Sequence, residues 1–314
     1  MKIIFIAFLF CFSFVSVNFS QDKSPKKSDN KNVSKPIVIT ANVAVVNADG
    51  ALSDDVKPEE IKVFEDGVEQ KITYITKKEP ILNLGLVFDN SGSMRKNLDK
   101  LSKINSAFTD TLVSGNEAFI VRFVDSETVE IIQDWTSNKN DLNEALDSMF
   151  VQGGESAVLD AVYLSAEKIL ERERQNKSKR YAIVLISDAE DRDSYYDFDE
   201  TMFIFKDSDL QIFLLSFAEN APLKKKKARS LGNSLTLETG GTIYSLPKKH
   251  NSEDIINAVK NIAGELRSQF IIKYTSTNQM RDGLPRKLTV TVSDGAKGEK
   301  RQGIIREGFT IPKE

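Results

Sequence analysis

The chain has 314 residues, of which 40% are hydrophobic and 28% are charged, and its formal net charge is -3. This length allows one good core and a smaller companion domain, and the composition is that of a folded protein rather than a disordered one. The net charge excludes a global basic field that would attract nucleic acid, and no nucleic-acid-binding motif is present.

Residues 1–20 have the pattern of a secretory signal peptide. A basic start at Lys2 is followed by an almost unbroken apolar run, Ile3–Val17, and then by Ser20 before polar residues. We expect cleavage after Ser20, and we favour it over an uncleaved membrane anchor because the apolar run is short for a membrane-spanning helix. The mature protein would then be secreted or held in the periplasm or cell envelope, without an integral membrane span.

The only cysteine, Cys11, lies inside this predicted signal peptide. Its removal would leave a mature protein without thiols, which excludes disulfides, cysteine nucleophiles and thiolate metal sites. Residues 21–36 are rich in Lys, Ser and Asn and lack apolar periodicity, so we interpret them as a flexible linker.

Residues 37–79 are predicted to form an N-terminal β segment. Ile37–Thr40 and Val43–Val46 are rich in β-branched residues, and Ile61–Phe64 and Gln70–Thr76 alternate apolar with polar residues. Asp-Gly pairs between such runs are a strong hairpin signal. This segment therefore indicates a small antiparallel β unit.

Residues 80–268 alternate apolar runs of strand length with helical patterns. Such alternation predicts an α/β fold with a doubly wound, mainly parallel sheet, Rossmann-like in type. We expect the run at 129–135 to be an antiparallel edge strand. Strands are predicted at 81–88, 118–124, 129–135, 181–186, 212–217 and 242–246, and helices at 96–113, 141–150, 158–174, 225–238 and 254–266.

Residues 269–314 return to a β pattern and form a predicted C-terminal β segment. Its expected strands are Phe270–Tyr274, Lys287–Ser293 and Ile304–Ile311. Because the termini of a domain usually lie close together, we expect this segment to pack with residues 37–79 as one β unit. The α/β domain would then be inserted between the two β segments.

Three loops of the predicted α/β domain carry oxygen donors. Asp89, Ser91 and Ser93 follow a buried strand, Ser156 ends a Gly-Gly-x-Ser loop before a helix, and Asp188 follows another buried strand. Ligands of open parallel sheets bind where strands end and loops turn into helices. Two carboxylates and three hydroxyls suit Mg²⁺, with Mn²⁺ or Ca²⁺ as alternatives, and Asp188 could act through a coordinated water.

Simple helix capping is the competing interpretation of these residues. The Asp89–Ser93 motif alone leaves the two interpretations equally weighted. Ser156 and Asp188, in the expected order on the expected elements, favour metal binding.

The Asp89-x-Ser91-x-Ser93 motif, the Gly-Gly-x-Ser loop and the strand ending at Asp188 resemble a von Willebrand factor type A domain over about residues 80–268. The chain is similar in particular to bacterial secreted proteins of this type. The resemblance implies a metal-ion-dependent adhesion site at which an Asp or Glu of a partner protein completes the coordination of the cation. By match, the ligands are Asp89, Ser91, Ser93, Ser156 and Asp188.

Two positions depart from the family pattern. Ser156 stands where the family usually has Thr, and Ala189 stands where it often has Gly. Glu155 adds negative charge and makes the register of the second loop ambiguous. None of these departures removes a donor atom.

The function that we favour is cation-dependent protein binding or adhesion, with no enzyme activity. The only histidine, His250, is expected in a surface loop, and no general base supports a metal-dependent hydrolase. Glu190, Asp191 and Asp193 are interpreted as exposed acids rather than a second cation site. The alternative function is structural: the cation would only hold the three loops together.

Overall fold

The computed structural model describes residues 35–53, 55–77, 79–149, 153–175, 179–206, 208–217, 226–247 and 249–313. The predicted signal peptide and all of the predicted linker before residue 35 lie outside these ranges. Residues from Pro36 onward form one unit. Within the described ranges, no helix has the length and apolar character needed to span a bilayer.

Strands and helices are named here in chain order. Short 3₁₀ helices occupy Pro58–Glu60 and Gly92–Asn97. The strands are Val38–Asn47 (β1), Ile61–Glu65 (β2), Val68–Gln70 (β3), Ile72–Thr76 (β4), Leu82–Asp89 (β5), Glu117–Phe123 (β6), Val129–Thr136 (β7), Arg180–Ser187 (β8), Gln211–Ser216 (β9), Ile243–Ser245 (β10), Phe270–Thr275 (β11), Pro285–Val292 (β12), Arg301–Ile304 (β13) and Gly308–Thr310 (β14). The helices are Leu98–Thr111 (α1), Lys139–Asp147 (α2), Val158–Gln175 (α3), Phe198–Phe203 (α4), Lys226–Thr239 (α5) and Ser252–Ser268 (α6).

The central sheet has six strands in the order β10-β9-β8-β5-β6-β7. Its neighbouring strands are parallel except for β6 and β7, which are antiparallel. Every residue of β5, β8 and β9 is buried, as expected for central strands covered on both faces. The predicted doubly wound, mainly parallel α/β fold and its antiparallel edge strand are confirmed.

Helices cover both faces of this sheet. Leu86 and Phe88 point to the face covered by α1, α2 and α6, whereas Val87 and Leu185 point to the face covered by α3, α4 and α5. This alternation follows from the two-residue period of a strand. The helices lie on the two faces of the sheet, so the loops that contain the candidate site lie at the carboxyl ends of β5 and β8.

The β segments on either side of the α/β domain pair directly with each other. β1 lies beside β11 with Val38 opposite Thr275, and β2 lies beside β12 with Val63 opposite Val290. Two four-stranded sheets result, with the orders β13-β1-β11-β4 and β14-β12-β2-β3, and they share one buried core. The β unit is therefore built from strands that are about 200 residues apart in sequence.

Two strand predictions were wrong in the same way. The single run Gln70–Thr76 divides at Lys71 into β3 and β4, which belong to different sheets. The single run Ile304–Ile311 is likewise β13 and β14, again in different sheets. Between them the Arg306 guanidinium donates to the carbonyl oxygens of Ser208 (2.7 Å) and Gly308 (2.8 Å), which holds the chain out of a continuous strand.

One predicted helix begins later than expected, and one observed helix was missed. The helix expected from Lys96 begins at Leu98, after the 3₁₀ helix Gly92–Asn97. Helix α4 was not predicted. Its signal is a capping box in which Asp197 accepts from the backbone N–H of Glu200 (2.8 Å) and Glu200 accepts from that of Asp197 (3.0 Å).

Candidate metal site

Asp89 is the centre of the candidate site. It ends β5, its side chain is fully buried, and its Oδ2 accepts hydrogen bonds from the hydroxyls of Ser187 (2.6 Å) and Ser156 (3.3 Å). Its Oδ1 accepts from the backbone N–H of Ser91 (3.0 Å). One carboxylate thus contacts all three loops that the sequence singled out.

The turn after β5 carries the first two hydroxyls. The Oγ atoms of Ser91 and Ser93 lie 3.1 Å apart; Ser91 is buried and Ser93 is exposed. The backbone N–H of Gly92, between them, donates to the carbonyl oxygen of Gly154 (3.3 Å). This bond ties the first loop to the second and leaves Ser93 at the surface end of the site.

The second loop approaches the end of the sheet closely at Gly154. A Cβ added there would lie 2.5 Å from Val124 Cγ1 and 2.9 Å from Asp125 Oδ2, so glycine is required for the approach. Two residues later the buried hydroxyl of Ser156 reaches Asp89, whereas Glu155 is exposed. In this register Ser156, not Glu155, faces the first loop.

The third loop begins at buried Asp188, whose Oδ1 accepts from the backbone N–H of Glu190 (3.1 Å). Ala189 has a φ of 57°, in the left-handed region that favours glycine. This chain therefore adopts, with alanine, a backbone conformation that glycine adopts more readily.

Ser187 was not assigned a role from the sequence. It ends the apolar strand β8, its hydroxyl donates to Asp89, and the same oxygen accepts from the backbone N–H of Ala189 (2.8 Å). The sequence feature that could have indicated this role is a hydroxyl residue directly after the apolar run Tyr181–Ile186.

The electrostatics of the cluster fit a cation. Burial, together with the negative charge of Asp188, raises the pKa of Asp89 to about 6, although hydrogen bonds from Ser187 and Ser91 oppose this rise. The groups that donate to Asp89 are serine hydroxyls and a backbone N–H, all of them neutral. Two neighbouring buried carboxylates surrounded by hydroxyls are a donor set that a hard divalent cation would stabilise.

In the part of the chain that the structure describes, no group of three or more His, Cys, Asp or Glu side chains could hold a metal ion. A cation at the ends of β5 and β8 would therefore depend on hydroxyl ligands as well as on Asp89 and Asp188. The residues available at this edge are Asp89, Ser91, Ser93, Ser156 and Asp188.

Comparisons with known proteins agree with the fold. Residues 84–190 match the family model described as the von Willebrand factor type A domain, and the matched segment includes the five candidate ligands. A comparison with curated proteins finds no match.

Three solved structures illustrate the likeness. An aerotolerance-related membrane protein from Bacteroides fragilis, solved with multiple mutations to serines, is 18% identical over 59% of this chain and 98% of its own, with a TM-score of 0.44. A von Willebrand factor type A protein from Catenulispora acidiphila is 11% identical over 86% of this chain and 73% of its own, with a TM-score of 0.46. The conserved hypothetical protein BatB from Bacteroides thetaiotaomicron is 14% identical over 58% of this chain and 99% of its own, with a TM-score of 0.42. The match to the von Willebrand factor type A model covers about a third of the chain, and residues 84–190 contain most of β5, all of β6, β7 and β8, and the candidate site.

Proposed function

We propose that this protein is a cation-dependent protein-binding module that works outside the cytoplasm and is not an enzyme. Asp89, Ser91, Ser93, Ser156 and Asp188 would hold the cation, with Mg²⁺ as the first choice and Mn²⁺ or Ca²⁺ as alternatives. A partner protein would supply an Asp or Glu carboxylate as a further ligand.

The observation that carries this proposal is the environment of Asp89. It is a fully buried carboxylate, next to a second one, and its bonded neighbours are hydroxyls and a backbone N–H. A buried charge is costly unless it is paired or coordinates a metal. A bound dication would balance the charge of both carboxylates. Because the serine ligands are neutral and do not fill its coordination sphere, the ion could still take a carboxylate of the partner.

The site is accessible to a partner at one side. Ser93, Gly154 and Glu155 are exposed, whereas Asp89 and Ser91 lie beneath them. A partner carboxylate arriving at this rim would form a charge-assisted contact strengthened by the exclusion of water. The exposed carboxylate of Glu155 disfavours purely acidic partners and so adds selectivity.

The metal claim is tested by isothermal titration with Mg²⁺ and Mn²⁺. We expect the wild type to bind one ion and Asp89→Ala to bind none. Asp147→Ala, which alters an exposed acid at the end of α2, is the matched control and should bind as the wild type does. Equal binding by Asp89→Ala and the wild type would refute the site.

A second experiment separates partner binding from a structural role for the cation. Immobilised wild type, Asp147→Ala and Asp89→Ala proteins are exposed to envelope extracts with and without chelator. A partner retained by the first two, lost with chelator and lost by Asp89→Ala supports the proposal. If the cation binds and raises the unfolding temperature but no such partner is found, the structural alternative is favoured.

The proposed location outside the cytoplasm rests on residues 1–20. It is tested by the N-terminal sequence of the protein recovered from a secreting host. Cleavage after Ser20 is the expected result. A mature chain that keeps the apolar run would support the anchor instead.

A further inference from the structure

The loop after Asp188 and the first turn of α3 exchange hydrogen bonds in both directions. In one direction, the side chains of Asp191 and Ser194 accept hydrogen bonds from the start of the helix. Asp191 Oδ1 accepts from the backbone N–H of Leu159 (3.1 Å), and Ser194 Oγ accepts from those of Leu159 (3.1 Å) and Asp160 (3.3 Å). The Ser194 hydroxyl also donates to Asp191 Oδ1 (2.5 Å), so the two side chains act together.

In the other direction, a helix residue holds the loop. The two carboxylate oxygens of Asp160 accept from the backbone N–H groups of Tyr195 (2.9 Å) and Tyr196 (2.9 Å). Asp160 is buried, and each oxygen has a separate donor. The loop and the helix start are therefore fixed to each other at both ends of the contact.

Ser156 lies between these two sets of bonds. Its carbonyl oxygen accepts from the backbone N–H groups of Arg192 (2.8 Å) and Asp193 (3.2 Å), which belong to the same loop. Asp193 in turn accepts from the backbone N–H (3.0 Å) and hydroxyl (2.8 Å) of Ser126 in the loop after β6. Of the three acids interpreted from the sequence as exposed, only Asp193 is exposed, and it still contacts Ser126. Asp191 is half-buried against α3, and Glu190 is half-buried and pairs with Arg192.

This arrangement bears on the choice between capping and metal binding. The residue directly before α3 is Ala157, whose side chain cannot accept hydrogen bonds from the first unpaired N–H groups of the helix. Here Asp191 and Ser194, more than 30 residues further along the chain, accept from those groups. The Ser156 hydroxyl instead reaches Asp89.

We propose that Asp191, Ser194 and Asp160 are positioning residues that hold the Ser156 hydroxyl at the cation. This inference rests on the proposed function and deepens it. Groups that orient metal ligands typically change metal affinity by about 10- to 100-fold when they are removed. The Ser156–Asp89 contact, at 3.3 Å, is longer than the Ser187–Asp89 contact, at 2.6 Å, so the hydrogen bond to Asp89 holds Ser156 less closely than it holds Ser187.

Two substitutions separate positioning from long-range charge. Ser194→Ala removes a hydrogen-bond acceptor from the helix start without changing the charge. Asp191→Asn removes the charge but keeps Oδ1 as an acceptor. Positioning predicts that Ser194→Ala weakens Mg²⁺ binding by about tenfold or more and that Asp191→Asn stays within about threefold of the wild type. An electrostatic role predicts the reverse order and would overturn the proposal.

The matched controls are Ser148→Ala and Asp147→Asn, both exposed residues at the end of α2. Each should bind Mg²⁺ as the wild type does. A merely structural role of Ser194 would lower the unfolding temperature of the metal-free protein without changing the dissociation constant of the folded protein. The dissociation constant, measured well below that temperature, is therefore the deciding readout, and an unchanged value overturns the proposal.

Amide hydrogen exchange of the metal-free protein provides a readout that needs no cation. Ser194→Ala should speed exchange at Arg192 and Asp193, the donors to Ser156, and Ser148→Ala should not. Unchanged exchange at both amides overturns the positioning role. If Ser194→Ala does not fold, Asp160→Asn, which keeps one of two acceptors, replaces it with the same expected direction in both measurements.

The failures of the two proposals are distinguishable. A wild type that binds no Mg²⁺ in the titration refutes the metal site and, with it, the role of its supports. A wild type that binds Mg²⁺ together with a Ser194→Ala variant of equal affinity leaves the metal site intact and refutes only the positioning role.

Discussion

The hydroxyl of Ser187 donates a 2.6 Å hydrogen bond to Asp89 Oδ2 and so connects the ends of two neighbouring parallel strands, β8 and β5. The partner carboxylate is 98 residues away in sequence. The same hydroxyl oxygen accepts from the backbone N–H of Ala189, the residue with positive φ. Ser187 thus links the carboxylate of the first loop to the strained start of the third.

Ser187→Ala should weaken Mg²⁺ binding by about tenfold, because it removes a neighbour that orients Asp89. It should also lower the free energy of unfolding by about 1–3 kcal/mol, since a buried carboxylate loses a donor. Titration calorimetry and urea denaturation measure the two effects. Ser216→Ala, at the paired position of β9, is the control and should leave Mg²⁺ affinity unchanged. Equal effects of both variants on affinity would contradict the assigned role.

Substitution by alanine should affect Mg²⁺ binding differently at two adjacent glycines of the second loop. Gly154→Ala places a Cβ 2.5 Å from Val124 Cγ1 and must displace the loop that carries Ser156, so Mg²⁺ affinity should fall by about tenfold or more. At Gly153 the nearest atom is Arg95 Nη2 at 3.7 Å, an ordinary contact, and Gly153→Ala should bind Mg²⁺ nearly as the wild type does. Titration of both variants tests this, and similar affinities would show that the close approach is unimportant.

The central sheet could be predicted because its strands are buried on both faces. Each of β5, β8 and β9 is a largely apolar run, and both predicted limits of each strand differ from the observed ones by one residue. Alternation in the β segments also identified strands. It could not show that β3 and β4 belong to different sheets, because a period of two residues is the same whichever partner a strand has.

The candidate site, too, could be predicted only in part from the sequence. The residue types and their order indicated Asp89, Ser91, Ser93, Ser156 and Asp188. The contacts that support them, from Ser187 and Ser194, join loops that are distant in sequence and have no local periodicity. The contact between Ser187 and Asp89 depends on the register of β5 against β8, which the sequence pattern does not specify.

A buried acid in α6 should make the stability of the protein depend on pH. Glu265 accepts hydrogen bonds from the hydroxyls of Thr242 (2.9 Å) and Tyr244 (2.6 Å), yet burial raises its pKa. A raised pKa in the folded state means that folding favours the protonated acid. The contribution of Glu265 is therefore fully present below its unfolded pKa of about 4.3 and is lost as pH rises through the folded value.

Glu265→Gln removes this titration. The unfolding free energy of the variant, relative to the wild type, should therefore increase as pH rises from about 4 to 8, whatever constant offset the altered hydrogen bonds produce. Urea denaturation across that range measures the slope, and Glu253→Gln, an exposed acid in the first turn of α6, is the control. A difference between variant and wild type that does not change with pH would contradict the prediction.

The β unit contains a buried ion pair whose removal tests its role in stability. Arg286 Nη1 lies 2.9 Å from Glu65 Oε1, and both side chains are 2% exposed. Ser276 also donates to that oxygen (2.8 Å). Breaking such a pair leaves an uncompensated buried charge, so Arg286→Met should lower the unfolding free energy by about 3–5 kcal/mol.

The double variant Glu65→Leu/Arg286→Met should recover most of this loss, because apolar replacements of a buried pair are often close to neutral. The exposed pair Lys62–Glu69, with a contact of 3.2 Å, is the matched control, and Lys62→Met should cost no more than about 1 kcal/mol. Urea denaturation of the four proteins in the Glu65–Arg286 cycle, with Lys62→Met beside them, gives the coupling energy. If Arg286→Met costs no more than Lys62→Met, the buried pair does not stabilise the β unit in the way its geometry indicates.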